Sequence, residues 1–266
     1  MTHRLWDLHQ EGTFVLVNVH DVGSAAIAQH AGAQALGTTS GGHAYSIGRG
    51  DAAGKLSRAE SVERAAAICA AVDIPVSVDA ENGWGHEPED VAETIRLLMD
   101  CGAAGASIED WSGDAERGFY ERSLAVARIE AAVETANAAE TGFVICARAD
   151  RVMHEGMETF EDTLDRLQAF AAADAGCLYA PGITSETAIT EVVATAGGPI
   201  NLLLGMNGEI SVADAAALGV RRISLGSSLY QATMGAFSEM VSEAVTTGSL
   251  RVDTPVLDYE LIESLF

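Results

Sequence analysis

Residues Pro75 to Gly85 read PVSVDAENGWG. A short apolar run, Ile74 to Val78, stops at Asp79; Glu81 follows, and then Asn82, Gly83, Trp84 and Gly85. The run has the length of a buried strand, and the Asn-Gly and Gly-x-Gly after it read as a loop. Side chains two apart on a strand share a face, so Asp79 and Glu81 project to the same side. Two carboxylates gathered at the end of a buried strand repel each other unless positive charge sits between them. A divalent metal ion is one answer. The other is structural: Asp79 caps the next helix and Glu81 is solvated. The stretch alone does not choose.

Outward from this stretch the chain alternates. Short apolar runs at Phe14–Val19, Ala35–Thr38, Val76–Asp79, Ala106–Glu109, Phe143–Ala147, Cys177–Tyr179, Ile200–Leu204 and Arg222–Leu225 read as strands. Between them lie Ala-rich amphipathic segments: Ser24–Ala31, Ser57–Ala71, Pro88–Met99, Ser123–Ala139, Thr159–Ala172, Ser185–Ala196, Ser211–Leu218 and Ser228–Val245. Ser57-x-x-Glu60 is a capping box, Glu87-Pro88 puts proline in a first turn, and Gly32, Gly102, Gly176 and Gly219 stand where helices should end. Strands and helices alternating in this number predict an α/β protein, a (β/α)8 TIM barrel. A doubly wound open sheet is the runner-up, weakened because no Gly-x-Gly-x-x-Gly follows the first strand. No linker or repeat divides the chain, so residues 1–266 read as one barrel domain, with 227–266 as a C-terminal helical segment.

Of the 266 residues 48% are hydrophobic, enough for a full core. The formal charge is −24, which argues against nucleic acid and anionic membranes as partners but not against a small anionic substrate. Cys69, Cys101, Cys146 and Cys177 show no C-x-x-C spacing and read as reduced buried thiols, consistent with a cytoplasmic protein. No apolar run reaches transmembrane length, and MTHRLWDLHQEG has no apolar signal core.

A (β/α)8 barrel carries its chemistry at the C-terminal ends of its strands. Those ends read Asn18-Val19-His20-Asp21, Thr38-Thr39-Ser40-Gly41-Gly42, Asp79-Ala80-Glu81, Glu109-Asp110, Arg148-Ala149-Asp150, Tyr179-Ala180-Pro181-Gly182, Gly205-Met206-Asn207 and Gly226-Ser227-Ser228. Asp79, Glu81, Glu109 and Asp110 gather on adjacent strands. An oxygen-only set favours Mg2+ or Mn2+ over Zn2+. Arg148 suits a substrate carboxylate, or else an ion pair with Asp150 or Glu109. Ser40, Gly41 and Gly42 offer a hydroxyl and open N–H groups, or form a plain turn.

In these segments, together with TTSGGHAYSIGRGD (Thr38 to Asp51), SIED (Ser107 to Asp110), ARAD, YAPG and LGVRRISLGSSL, the sequence resembles the isocitrate lyase/phosphoenolpyruvate mutase superfamily from about Phe14 to Val245. The resemblance implies Mg2+ bound by Asp79, with Glu81 and Glu109 holding its waters. It implies substrate carboxylate at Ser40, Gly41 and Gly42, Arg148 on the substrate's oxygens, and Asp51 near the reaction centre. It implies a lyase that breaks a C–C bond of a small 2-oxo or 2-hydroxy carboxylic acid through a metal-stabilised enolate. P–C or phosphoryl chemistry on phosphonopyruvate or phosphoenolpyruvate is the alternative, and a non-catalytic barrel the third reading. Family members commonly form tetramers that exchange a C-terminal helix, so a homo-oligomer, tetramer or dimer, is expected.

The chain also departs from its relatives. Lyases of isocitrate and 2-methylisocitrate carry a Lys-Lys/Arg-Cys-Gly-His loop where Trp111 to Tyr120 reads WSGDAERGFY, without Cys or His. The Lys-Thr-Asn-Ser loop of the mutases is absent too. His20, Trp84 and Trp111 stand where relatives have Trp, Tyr and Ser. His20 and Trp111, with Asn18, are therefore expected at the substrate, and His43 and Tyr45 beside them as part of an altered pocket. The plainer reading is that these rings fill the barrel mouth.

Overall fold

Eight parallel strands pair in chain order and close on themselves in the computed structural model. It describes all residues except 1–3, 52–54, 206–209 and 251–254. The strands are β1 (Phe14–Val19), β2 (Ala35–Thr38), β3 (Val76–Asp79), β4 (Gly105–Glu109), β5 (Val144–Arg148), β6 (Cys177–Tyr179), β7 (Ile200–Leu203) and β8 (Arg222–Ser224). Phe14, Val15 and Leu16 of β1 pair with Arg222, Ile223 and Ser224 of β8. That closure makes the fold a (β/α)8 TIM barrel and excludes the open sheet.

Strand periodicity decides what faces inward. On β3, Ser77 and Asp79 line the interior while Val76 and Val78 are buried in the apolar clusters packed beneath the helices. On β4 and β5 the inward residues include Ser107 and Arg148, and Ile108, Ile145 and Ala147 belong to the outer core. The barrel's N-terminal end is closed by a helix that the sequence reading did not anticipate, Arg4–Gln10. Its Leu5 is fully buried against Phe14, Leu16, Val144, Cys146 and Cys177. Two further short helices, Ser40–Ser46 and Arg151–Glu155, were also not expected, whereas Tyr259–Ser264 lies within the helical segment expected at 227–266.

Local signals place most helix ends. Ser57 and Glu60 form the expected capping box, and Pro88 opens its helix. The first barrel helix begins at Val22 rather than Ser24, because Asp21 is its cap and Ser24 closes the box. Gly32, Gly102 and Gly219 take φ of 93°, 91° and 90° after their helices. Gly176 does not serve this way: Asp174, at φ 59°, makes the left-handed turn after Phe160–Ala172. Asp tolerates that conformation better than most residues.

The helix Ser228–Thr247 contains no buried residue and exposes Leu229, Phe237, Val241 and Val245. The described part of the tail exposes Val256, Tyr259 and Phe266 as well. Met206 and Asn207, expected at the end of β7, and the stretch 251–254 of the tail lie outside the described residues. No described helix is long and apolar enough to cross a membrane.

Candidate active site

Inward-facing side chains at the ends of β3, β4 and β5 meet because of register. Asp79 pairs with Ser107, and Glu109 with Arg148. At the C-terminal mouth they form the floor of a cavity of about 490 Å3, lined also by Ser40, Gly41, Asp51, Glu81 and Asp150. Asp79 is held from several sides. Its Oδ2 accepts from the Ser40 N–H (3.1 Å) and hydroxyl (2.8 Å), and its Oδ1 from the Ser107 hydroxyl (3.4 Å).

Arg148 sits among the acids. Its Nη1 lies 3.2 Å from Asp79 Oδ1 and 2.8 Å from Glu109 Oε1, and its Nη2 2.9 Å from Asp150 Oδ2. Its Nε donates to Asp150 Oδ1 at 3.2 Å, completing a two-point fork. The guanidinium carbon lies 5.1 Å from the centre of the Tyr179 ring. Both pairings weighed from the sequence, with Asp150 and with Glu109, are therefore made. The acids still outnumber the cation. Burial holds the Glu109 carboxyl well above its ordinary range against the pull of Arg148, with Asp150, Asp79 and Glu81 pushing it further up. Asp51 is raised by burial and by the charge of Asp79, with Arg148 opposing.

Glu81 reaches the cavity by a different route from the one strand alternation predicts. β3 ends at Asp79, and the loop then turns through left-handed residues, Glu81 at φ 46°, Gly83 at 80° and Trp84 at 55°. For residues with a Cβ each such conformation costs on the order of 1–2 kcal/mol. The loop is clamped to offset this. Asn82 donates to the Ser112 carbonyl (2.6 Å) and accepts from the Trp84 N–H (2.9 Å), the Trp84 indole donates to the Leu56 carbonyl (3.0 Å), and Arg128 donates to the Gly85 (2.9 Å) and Asn82 carbonyls.

Asp51 comes from the segment that follows the helix Ser40–Ser46. A Cβ on Gly41 would lie 2.6 Å from its carboxylate, so a side chain there would push Asp51 aside. Gly42 lines no part of the cavity. Its N–H donates to the capping hydroxyl of Thr39 (3.3 Å), and its α-carbon packs towards Thr39 and His20. Ser40, Gly41 and Gly42 are thus a first helical turn rather than a loop, and Ser40 orients Asp79.

Several expectations are corrected here. Asn18 lies below the floor, beside a second cavity of about 70 Å3, and its side chain donates to the Thr38 carbonyl and accepts from the Leu225 and Gly226 N–H groups. His20 does not line the active cavity either; its ring meets Tyr230 edge-on at 4.9 Å and its Nε2 lies 3.6 Å from Asp21. His43 is buried and Tyr45 exposed, both away from the cavity lining. Asp110 turns outward. It accepts from the Asp150 N–H (2.8 Å) and pairs with Arg166 (3.2 Å), and burial pushes its carboxyl up to about 7.

Trp111 does line the cavity, and it brings partners that sequence reasoning missed. Met153 and His154 line it too. The His154 ring stacks on the Trp111 ring, centroids 4.7 Å apart at 22°, while Phe119 meets both rings edge-on at 4.8 and 5.6 Å. An antiparallel bridge between Trp111 and Phe119 folds the loop onto itself. His154 follows Arg148 closely, and proximity to a strand end was the one signal that could have marked it.

The donor chemistry suits a hard divalent cation. Asp79, Glu81 and Glu109 present only carboxylate oxygens, and the surplus of buried acid over Arg148 leaves room for further positive charge. Among the described residues no group of three or more His, Cys, Asp or Glu stands close enough to hold a metal directly. Mg2+ keeps several waters and takes one or two carboxylates. Asp79 as direct ligand with Glu81 and Glu109 behind it fits that habit.

A family model described as phosphoenolpyruvate phosphomutase matches residues 5–245. The chain belongs to this family, within the isocitrate lyase/phosphoenolpyruvate mutase superfamily. It is 32% identical over 210 residues to the 2-methylisocitrate lyase of Salmonella typhimurium, covering 73% of this chain and 66% of that one. A solved structure of a candidate lyase/mutase from Burkholderia cenocepacia J2315 is 38% identical, with a TM-score of 0.93 over 98% of this chain and 93% of that one. A 2,3-dimethylmalate lyase is 27% identical, with a TM-score of 0.85 over 98% and 91%. This family member is accordingly an enzyme of a superfamily of lyases and mutases.

Proposed function

We propose that this enzyme is a Mg2+-dependent lyase that cleaves a C–C bond of a small 2-oxo or 2-hydroxy carboxylic acid. One observation carries the reading: Asp79, Glu81, Glu109 and Arg148 converge on the floor of one cavity at the barrel's C-terminal mouth. Mg2+, bound by Asp79 with Glu81 and Glu109 behind it, supplies a Lewis acid for the substrate's oxygens. The chain's own residues do the rest. Ser40 and Ser107 fix Asp79, and Asp150 fixes Arg148 by two hydrogen bonds. Arg148 presents a fixed positive charge where negative charge develops as the bond breaks. Trp111 and Met153 add apolar surface to the same cavity.

The test is a panel of such acids with Mg2+, assayed for pyruvate, glyoxylate or oxalate. Product is expected to form with Mg2+, to stop with excess EDTA and to return when Mg2+ is restored. Full activity in EDTA contradicts the reading. A changed phosphorus NMR spectrum with phosphonopyruvate, and no acid cleaved, assigns the P–C alternative instead.

The exposed apolar side of Ser228–Thr247 supports a homo-oligomer built on the C-terminal segment, since a long helix with no buried residue stabilises itself poorly in water. Sedimentation is expected to give a dimer or tetramer, and a monomer at micromolar concentration contradicts it. A cytoplasmic setting fits the reduced thiols; all of the cysteines are free.

A further inference from the structure

The cysteines fall into two pairs that differ in access. Cys146 on β5 stands opposite Cys177 on β6, and both are fully buried inside the barrel. Cys146 Sγ accepts from Arg222 Nη2 at 2.6 Å. The second pair lies between two outer helices. Cys69 belongs to the last turn of Arg58–Ala71, and Cys101 caps the C-terminal end of Pro88–Asp100. The Cys101 thiol donates to the Leu98 carbonyl at 3.2 Å and shares a hydrogen bond with the Cys69 thiol. The backbones are close as well: a Cβ on Gly102, the residue after Cys101, would stand 3.7 Å from the Cβ of Cys69. Both thiols are partly exposed. A cavity of about 200 Å3, lined also by Arg4, Gly102 and Phe143, lies against Cys69 and gives a small oxidant room.

Sulfurs within hydrogen-bonding reach need little further approach to bond. The hydrogen bond from Cys69 also holds the Cys101 thiol below its ordinary range, with burial and Asp100 opposing, and so favours Cys101 as the attacking thiolate. We propose that Cys69 and Cys101 form a reversible modification site, joined as an intramolecular disulfide by hydrogen peroxide, while the buried Cys146 and Cys177 stay reduced. The Cys101 thiolate attacks one peroxide oxygen; the O–O bond breaks, Cys101 becomes a sulfenic acid and the released hydroxide takes up a proton. Cys69 sulfur then attacks Cys101 sulfur, the S–O bond breaks and the second oxygen leaves as water. Two thiols give up two electrons and two protons, and one peroxide takes them and leaves as two waters. The cross-link needs neither metal nor substrate. It closes a ring that carries β3, Asp79 and the Glu81 loop, and so restricts that stretch in the unfolded chain.

Peroxide treatment of the full-length protein, followed by alkylation of free thiols in denaturant and peptide mass mapping, tests this. The expected result is a linked Cys69–Cys101 peptide, a mass loss of two hydrogens, alkylation of Cys146 and Cys177 only, and recovery of all the thiols with dithiothreitol. The oxidised protein is expected to melt about 5 °C or more above the reduced one. Neither Cys69→Ser nor Cys101→Ser should show that rise. Cys69→Ser is expected to leave the Cys101 sulfenic acid open to capture by dimedone, because the resolving thiol is gone. The wild-type mapping decides even if a variant folds poorly. Alkylation of both Cys69 and Cys101 after peroxide, a link between Cys146 and Cys177 instead, or disulfides only between chains on a non-reducing gel overturns the inference.

Discussion

The floor and the outer wall of one cavity are built by different means. The floor consists largely of strand-end residues, set by register and braced from behind. Arg148 grips Asp150, the Asp150 N–H donates to Asp110, and Asp110 pairs with Arg166, which also pairs with Asp162. The wall is built from the Trp111 loop and the short helix Arg151–Glu155, held by ring contacts among Trp111, Phe119 and His154. On the proposed function this is a division of labour: strand ends hold the charge that the chemistry needs, and the Trp111 loop with its neighbouring helix meets the substrate.

Substitutions can break that division, beginning with the largest effect. Asp79→Ala removes the residue on which Ser40, Ser107 and Arg148 converge, and turnover is expected to fall by about 10³-fold with little change in helix content by circular dichroism. Arg166→Leu strips the buried Asp110 of its cation, and is expected to lower stability by about 3 kcal/mol in denaturant titration. It should also lower kcat, because Asp110 supports the backbone of Asp150. Phe119→Ala loosens the wall alone. Its expected signature is a several-fold rise in KM with kcat nearly unchanged, measured by steady-state kinetics; a fall in kcat as large as that of Asp79→Ala would erase the distinction between floor and wall.

The smallest effect concerns the loop that delivers Asp51. Arg49 in this loop pairs with Glu60 at 2.8 Å. The Arg49 hydrogen bond, with the Ser57 N–H and hydroxyl, depresses the Glu60 carboxyl from 4.5 to about 2. A depressed acid stabilises the fold above its unfolded value and loses that contribution as pH falls towards the folded value. Glu60→Gln is therefore expected to flatten the acid side of the melting-temperature profile between about 4.5 and 2, and leave it unchanged near neutrality. Salt should shrink the difference, since the pair is exposed.

The same contrast explains what could be read before the structure. Strand alternation and capping chemistry are local, so the eight strands, the Ser57 box and Pro88 were legible, and with them Asp79, Glu109 and Arg148 as neighbours. Glu81 was placed correctly for the wrong reason, because a clamped left-handed loop rather than strand alternation brings it in. Asn18 and His20 sit near the end of β1 as expected and Gly42 in the helical turn after β2, yet they spend their polar groups or surface on neighbouring structure rather than on the cavity. Which way a strand-end residue turns depends on partners far along the chain. His154 and the N-terminal helix escaped notice for a related reason: their roles arise from contacts with Trp111 and with the barrel's lower end, which no local pattern announces.

On the proposed function, the acids at the ends of β3 and β4 hold one divalent cation. A Mn2+ titration followed by electron paramagnetic resonance tests it without any substrate. One saturable Mn2+ site that Mg2+ displaces is expected, lost in Asp79→Ala and weakened about 10-fold or more in Glu81→Gln and Glu109→Gln. Mn2+ binding of equal strength in the wild type and Asp79→Ala, or none in the wild type, would contradict it.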